Sequence, residues 1–226
     1  MGEGAFKIML YINEIFTGID GEVNFKGQGA LTTFIRFQGC NLNCTYCDTP
    51  QARKLTNKKE MSVSQIVDLI PKGKVTITGG EPLLQRETAE LIEALLYKKN
   101  VVSVETNGSL PFPEIESSDL GWVLDYKLAN PDYMCLENHR RLTEKDWIKF
   151  VIIDRCDFIS SINFIDILKK DACRANYALS PMMNGGKNNA LWLAEEMIKY
   201  GCKDIVLNIQ IHKLIKVDEI KNNLLL

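Results

Sequence analysis

Short apolar, β-branched runs recur along the chain at intervals that leave room for a helix between them. Phe6–Ile12, Thr33–Phe37, Val75–Thr78, Val101–Glu105, Trp122–Asp125, Lys149–Ile153, Tyr177–Leu179 and Asp204–Ile209 all have strand length. Between many of them the apolar period lengthens to that of a helix. Ser62 and Gln65 form a capping-box signature ahead of Ile66, Leu69 and Ile70, because hydroxyl and amide can each cover a backbone N–H that a first helical turn leaves open. Arg86–Lys98 carries Ala89, Leu91, Ile92 and Leu95 at helical spacing, and Phe158–Lys169 and Asn188–Tyr200 read the same way. Strand alternating with helix predicts parallel βα units, and six or so of them fit a partial or complete α/β barrel better than a sandwich. Working residues are then expected at the carboxyl ends of the strands. Lys216–Leu226 reads as a short helix or a loose tail.

Composition adds limits. The 226 residues, 46% hydrophobic and 25% charged, suit one soluble globular domain spanning 1–226. Lys and Arg number 27 against 29 Asp and Glu, so no strong field gathers phosphate backbones or anionic lipid. Nucleic acid and membrane partners are not expected. The longest apolar stretches fall far short of the roughly 20 residues that span a bilayer, and the N-terminus lacks a secretory pattern. A cytoplasmic protein is the expectation.

Seven cysteines, at 40, 44, 47, 135, 156, 173 and 202, make an odd number, with three crowded into eight residues. That is not a disulfide framework. The four scattered ones read as small buried apolar residues. Cys40, Cys44 and Cys47 place three thiolates on one loop, with Gly39 allowing a tight turn. A structural zinc would want a fourth protein ligand, which a distant Cys or His would have to supply. A 4Fe-4S cluster on three cysteines keeps one iron open to chelate a cofactor.

Other polar groups fall at predicted strand ends. Gly79, Gly80 and Glu81 follow one strand, two flexible residues and a carboxylate placed to meet an ammonium group. Asn107 ends the next, and Asp125, Tyr126 and Lys127 the one after. Ser180, Pro181, Met182 and Met183 close a later strand, and His212 lies at the end of the last. His139, between charged neighbours, reads as a solvated surface residue.

The C-x3-C-x2-C segment closely resembles the signature of the radical S-adenosylmethionine superfamily, and Gly79-Gly80-Glu81 its motif for the amino group of the methionine moiety. The resemblance implies a partial (β/α)6-type TIM barrel of the radical SAM type, with the cluster after the first barrel strand. Several stretches together resemble the 7-carboxy-7-deazaguanine synthases, which make the core of queuosine, a tRNA modification, and related compounds. They are Glu14–Glu22, Phe34–Arg36, Cys47–Thr49, Thr78–Pro82, Glu105–Gly108 and Gln210–Lys213.

That likeness implies a lyase reaction: radical ring contraction of 6-carboxy-5,6,7,8-tetrahydropterin with loss of ammonia. Its cofactors would be a 4Fe-4S cluster, S-adenosylmethionine and Mg2+, its electron donor a protein such as flavodoxin or ferredoxin, and its assembly a homodimer. Ile19, Asp20, Gly21, Glu22, Arg36, Thr78 and His212 would face the substrate. Glu22 would accept hydrogen bonds from the pterin N–H groups, and Arg36 would pair with its carboxylate. Tyr46, Asp48, Gly80, Lys127 and Ser180–Met183 would contact S-adenosylmethionine, and Thr49 would be a magnesium ligand. Asp20 and Ser180 each replace a Gln common in the family. The radical would come from the cofactor, so no acid or base is assigned. The rivals are a radical activase acting on a glycine of a partner protein, and a non-enzymatic zinc-binding protein.

Overall fold

The computed structural model describes residues 9–56, 58–183 and 189–215, together with the short strand Asn222–Asn223. The first strands are β1 (Leu10–Ile19), β2 (Leu31–Phe37) and β3 (Lys59–Met61). There follow β4 (Lys74–Gly79), β5 (Val101–Thr106), β6 (Leu120–Tyr126), β7 (Trp147–Ile152), β8 (Asn176–Pro181) and β9 (Ile205–Leu207). From β2 onward the order β2-β4-β5-β6-β7-β8-β9 is parallel throughout. β1 lies antiparallel on β2, and also pairs β3 and β10 (Asn222–Asn223). Among the described residues no pairing joins β9 back to the β1 side, so the sheet is an open, partial barrel.

Helices α1 (Val63–Leu69), α2 (Thr88–Tyr97), α3 (Asn138–Arg141), α4 (Arg155–Lys170) and α5 (Ala190–Tyr200) lie between strands, and α6 (Ile211–Leu214) follows β9. The capping box at Ser62 and Gln65 forms as predicted. Residues 107–119, between β5 and β6, hold no helix; Pro111 and Pro113 would each remove a helical N–H there. Among the described residues no helix is long and apolar enough to cross a membrane.

Side-chain parity divides the barrel into two faces. Val75 and Ile77 of β4, Val102 and Val104 of β5, and Ile148 and Phe150 of β7 pack outward into one core with Ile66, Leu91 and Leu95 of the helices. Each such fully buried side chain contributes about 1.5–3 kcal/mol, and Leu91→Ala would cost about 2–5 kcal/mol through the cavity it leaves. Many of the alternate residues are polar and point inward, among them Thr76 and Thr78, Glu105, Asp125, Lys149 and Ser180, with Val123 and Val151 on the same face. A polar interior of this kind is a site, not a core.

Residues 20–30, linking β1 to β2, fold underneath this interior and form its floor. Asp20 bonds Thr76 of β4 at 2.9 Å, Phe25 rests on Gly121 of β6, where any Cβ would collide with its ring, and the Val23 amide donates to Asn208 beyond β9 at 3.0 Å. The floor thus ties the first barrel strands to the last.

Several boundaries differ from expectation. The first predicted strand begins outside the described residues, and β1 runs on to Ile19; a register shift between Ile12 and Glu14 breaks the alternation that would have announced it. The last strand stops at Leu207, and His212 stands on α6 rather than at a strand end. His139 is not solvated: it is buried on α3 with Nε2 3.7 Å from Asp171, and burial lowers its pKa. Cys156 is exposed, while Cys135, Cys173 and Cys202 are half-buried. Lys216–Leu226 falls outside the described residues apart from β10.

Candidate active site

The carboxyl ends of the parallel strands surround a cavity of about 230 Å3. Cys40, Cys44 and Cys47 reach it from the loop after β2. That loop is pinned at its base. Gly39 N donates to Ala52 O at 2.7 Å and Cys40 N to Arg53 O at 3.0 Å, while the buried Gln38 amide donates to the carbonyls of Gln51 and Lys54. Arg53 reaches back to Asn43 Oδ1 and Cys44 O. Backbone that would otherwise be unpaired is satisfied within the loop, leaving its thiols turned to the cavity.

Gly79 and Gly80 end β4 against this loop. A Cβ on Gly80 would strike the Gly39 carbonyl, and one on Gly79 the Phe37 backbone. The glycines therefore let the loop lie on the strand end, where Glu81 N donates to Gly39 O at 2.8 Å. The Glu81 side chain does not reach the cavity. It is buried, with Oε1 accepting from Thr106 Oγ1 at 2.7 Å and Leu83 N at 2.9 Å, and Oε2 from Asn107 N at 2.7 Å. Its carboxylate braces the ends of β4 and β5. Asn107 in turn donates to Asn41 Oδ1 at 3.1 Å, holding β5 to the cysteine loop.

Three thiols in one cavity could serve as the ligands of a 4Fe-4S cluster that keeps one iron open to a cofactor. The rest of this end of the cavity is shaped by Tyr46, Lys127 and Met182, with Pro181 and Met183 beside them. Lys127 Nζ stands 5.6 Å from the Tyr46 ring centroid and 2.8 Å from Asp125 Oδ2. Burial pushes the Tyr46 phenol up to about 12.

A chain of buried charges crosses the interior. Lys149 of β7 bonds Glu22 Oε2 and lies 3.3 Å from Asp125 Oδ2, which also takes Lys127. Glu22 further accepts from Gln210 Nε2 at 2.7 Å and Asn208 Nδ2 at 3.2 Å. Burial alone would raise the Glu22 pKa, but the Lys149 charge and the hydrogen bonds from Lys149 and Gln210 hold it below the ordinary value. Asp125 is lowered in the same way, against burial, by Lys127 and Lys149. Glu105 moves the other way: burial and the charges of Glu22 and Asp20 push it up to about 7. Its Oε2 accepts from Thr78 Oγ1 at 2.7 Å.

Arg36 of β2 is held by Glu14, whose Oε1 accepts from Nε at 2.7 Å; this fixes the guanidinium plane at the cavity wall. The His212 ring packs on Gly21, where a Cβ would occupy the place of Nδ1. Lys213 Nζ reaches Asp48 Oδ2 at 2.9 Å, tying α6 across to the cysteine loop. Thr49 donates its hydroxyl hydrogen to Asp48 Oδ1 at 3.0 Å, which leaves the oxygen lone pairs as a donor of the type magnesium takes. Ser180 Oγ accepts from Asn208 Nδ2 at 2.7 Å. Ile19 also lines the cavity.

All the residues singled out in the sequence line this cavity except Glu81 and Tyr126. Tyr126 points outward and packs between Phe150 and Phe164, with ring centroids 5.4 and 4.3 Å away. Period-2 parity separates it from Asp125, its neighbour in the strand. Lys149 and Arg53, which the sequence did not single out, also line the cavity, as do Glu105, Gln210 and Lys213, whose stretches carry the resemblance but which were given no role of their own. Lys149 carried a signal, since a lysine inside an otherwise apolar parallel strand has to find a buried partner.

A family model for the radical SAM superfamily matches residues 34–124. The 7-carboxy-7-deazaguanine synthase of Clostridium acetobutylicum is 34% identical, covering 89% of this chain and 94% of that protein. The enzyme of the same name from Koribacter versatilis is 31% identical over 94% of this chain and 99% of its own. The crystal structure of QueE from Escherichia coli superposes with a TM-score of 0.70 at 20% identity, covering 92% of this chain and 99% of that one, and shares its fold. Streptococcus suis SuiB bound to the precursor peptide SuiA shares it more distantly, with a TM-score of 0.57 at 14% identity over 75% of this chain and 46% of that one. With the three thiols, the glycine-lined strand end and the charged interior in one cavity, the chain belongs to the 7-carboxy-7-deazaguanine synthase family of radical SAM enzymes.

Proposed function

We propose that the protein converts 6-carboxy-5,6,7,8-tetrahydropterin to 7-carboxy-7-deazaguanine, contracting the pyrazine ring and releasing ammonia. The observation that carries this reading is a carboxylate and a guanidinium prepared in one cavity. Glu22 is kept ionised by Lys149, and Arg36 is held in plane by Glu14. An ionised, immobile acceptor suits the N–H edge of a pterin, and a fixed guanidinium suits its carboxylate. The substrate differs from the product by one molecule of ammonia, so the conversion consumes no net oxidant or reductant.

Cys40, Cys44 and Cys47 would hold the 4Fe-4S cluster, and Gly80, Tyr46, Asp48, Lys127 and Ser180–Met183 would contact S-adenosylmethionine. Bound together, these groups supply a carbon radical able to take a hydrogen atom from C6 of the pterin and return it after rearrangement. The chain's own part is positioning. Glu22, Arg36, Thr78 and His212 orient the ring, the floor and α6 keep water from the site, and Thr49 would offer one oxygen to a magnesium ion, which would supply charge to steady a carboxylate. A one-electron donor of the flavodoxin or ferredoxin type completes the system, and a cytoplasmic homodimer is its proposed setting.

Anaerobic binding of the pterin to the reconstituted protein, with and without magnesium, tests the substrate. Glu22→Gln and Arg36→Met are each expected to weaken binding by about tenfold or more, the cost of a lost charge-assisted bond. Equal affinity in both variants would reject the pterin orientation and the reading built on it.

A further inference from the structure

The floor that carries Glu22 is itself anchored, and we infer that Lys74 is its positioning residue, a clamp from below that sets pterin affinity. This rests on the reading of Glu22 as a partner of the substrate. Lys74, Thr76 and Thr78 are successive inward residues of β4, so Lys74 lies two steps beneath a residue of the cavity wall. Its ammonium stands 2.8 Å from Asp20 Oδ2 and 2.8 Å from Asn24 Oδ1. Those two residues flank Glu22 at equal distance along the chain. Asn24 completes the grip by donating from Nδ2 to the Glu22 carbonyl at 3.0 Å.

The clamp is built of buried parts. The side chains of Lys74 and Asp20 are 8% and 2% exposed, and Asn24, Thr32 and Thr76 are buried around them. Thr76 Oγ1 donates to the same Asp20 oxygen at 2.9 Å and lies 3.0 Å from Thr32 Oγ1. Asp20 Oδ1 faces the Glu22 amide at 3.5 Å. The Asp20 charge is therefore met by protein from beneath. Without Lys74 a second carboxylate would stand unneutralised under Glu22 and Glu105, and the floor would lose its tie to β4.

Lys74→Met in the full chain separates this from a purely structural role. In the free protein, hydrogen exchange at the Glu22 and Val23 amides is expected to quicken by about tenfold, a local opening of the floor. With the reconstituted enzyme, KM for 6-carboxytetrahydropterin should rise by about tenfold while kcat stays within about threefold. The paired variant Asp20→Asn/Lys74→Met, which removes both charges, should recover most of the exchange effect. Lys74→Gln, which keeps a donor for Asn24, serves if the methionine variant does not fold. Lower thermal stability with unchanged exchange at these amides and unchanged KM would overturn the proposal. A wild-type enzyme that makes no product from the pterin would sink the substrate reading instead, with the exchange result still deciding the clamp.

Discussion

Lys149→Met is expected to lower kcat/KM for the pterin by about a thousandfold while leaving a folded protein. Breaking a buried ion pair by removing one partner costs about 3–5 kcal/mol, within the 5–15 kcal/mol that holds a typical domain together. The damage to activity is larger than to folding because Lys149 serves two carboxylates at once, Glu22 and Asp125. Without it Glu22 sits near Glu105 with no cation, takes up a proton, and ceases to be an acceptor for the substrate edge. Steady-state kinetics beside thermal unfolding check this. A loss of less than about threefold would make Lys149 a bystander.

The sign of its pH dependence is also fixed. Lys149 is raised well above its ordinary 10.5, so its contribution is complete at lower pH and fades only as pH climbs through the folded value. Glu22 is lowered from 4.5, so its contribution is complete above that value and fades as pH falls through the folded one. The pair is therefore intact between 4.5 and 10.5.

Glu105→Gln carries the second large effect, in the opposite direction. The folded protein holds the Glu105 proton up to about pH 7, whereas an unfolded chain releases it near 4.5. Below 4.5 both states are protonated and the side chain has no linked effect. Between those values the wild-type protein loses stability as pH rises, and above them the loss stays constant. Glutamine resembles the protonated acid and avoids that loss, so the variant should be more stable than wild type by up to about 3 kcal/mol at pH 8 and equal to it near pH 4. Denaturant unfolding at the two pH values measures it. A variant less stable at pH 8 would mean that Glu105 is ionised there and paired to Lys149.

The chemistry of the cavity was legible where it is carried by local spacing. The three cysteines, the glycine pair and the capping box at Ser62 are short-range patterns: the box forms as the sequence predicts, and the cysteines and glycines come together in one cavity. What depends on contacts between distant residues was not legible. Glu81 reads as a free carboxylate, yet Thr106 and Asn107 of the next strand consume it. Asp20 lines the cavity, but its pairing with Lys74, more than fifty residues away, could not be read from the sequence. Lys149 could have been flagged as a lysine on the inward face of an apolar strand, but only the fold shows that its partners come from β6 and from the floor. His139 misled because two charged neighbours on a short helix, Arg140 and Arg141, imply exposure, while the helix buries that one side near Asp171.

Product formation under anaerobic conditions tests the central claim most directly. The reconstituted protein, a reductant, S-adenosylmethionine, magnesium and 6-carboxy-5,6,7,8-tetrahydropterin are combined, and both pterin and product are followed by mass spectrometry beside a Cys44→Ala control. The account predicts 7-carboxy-7-deazaguanine and ammonia in equal amounts from the wild-type protein, and neither from the control. Cleavage of S-adenosylmethionine with the pterin left unchanged would contradict it.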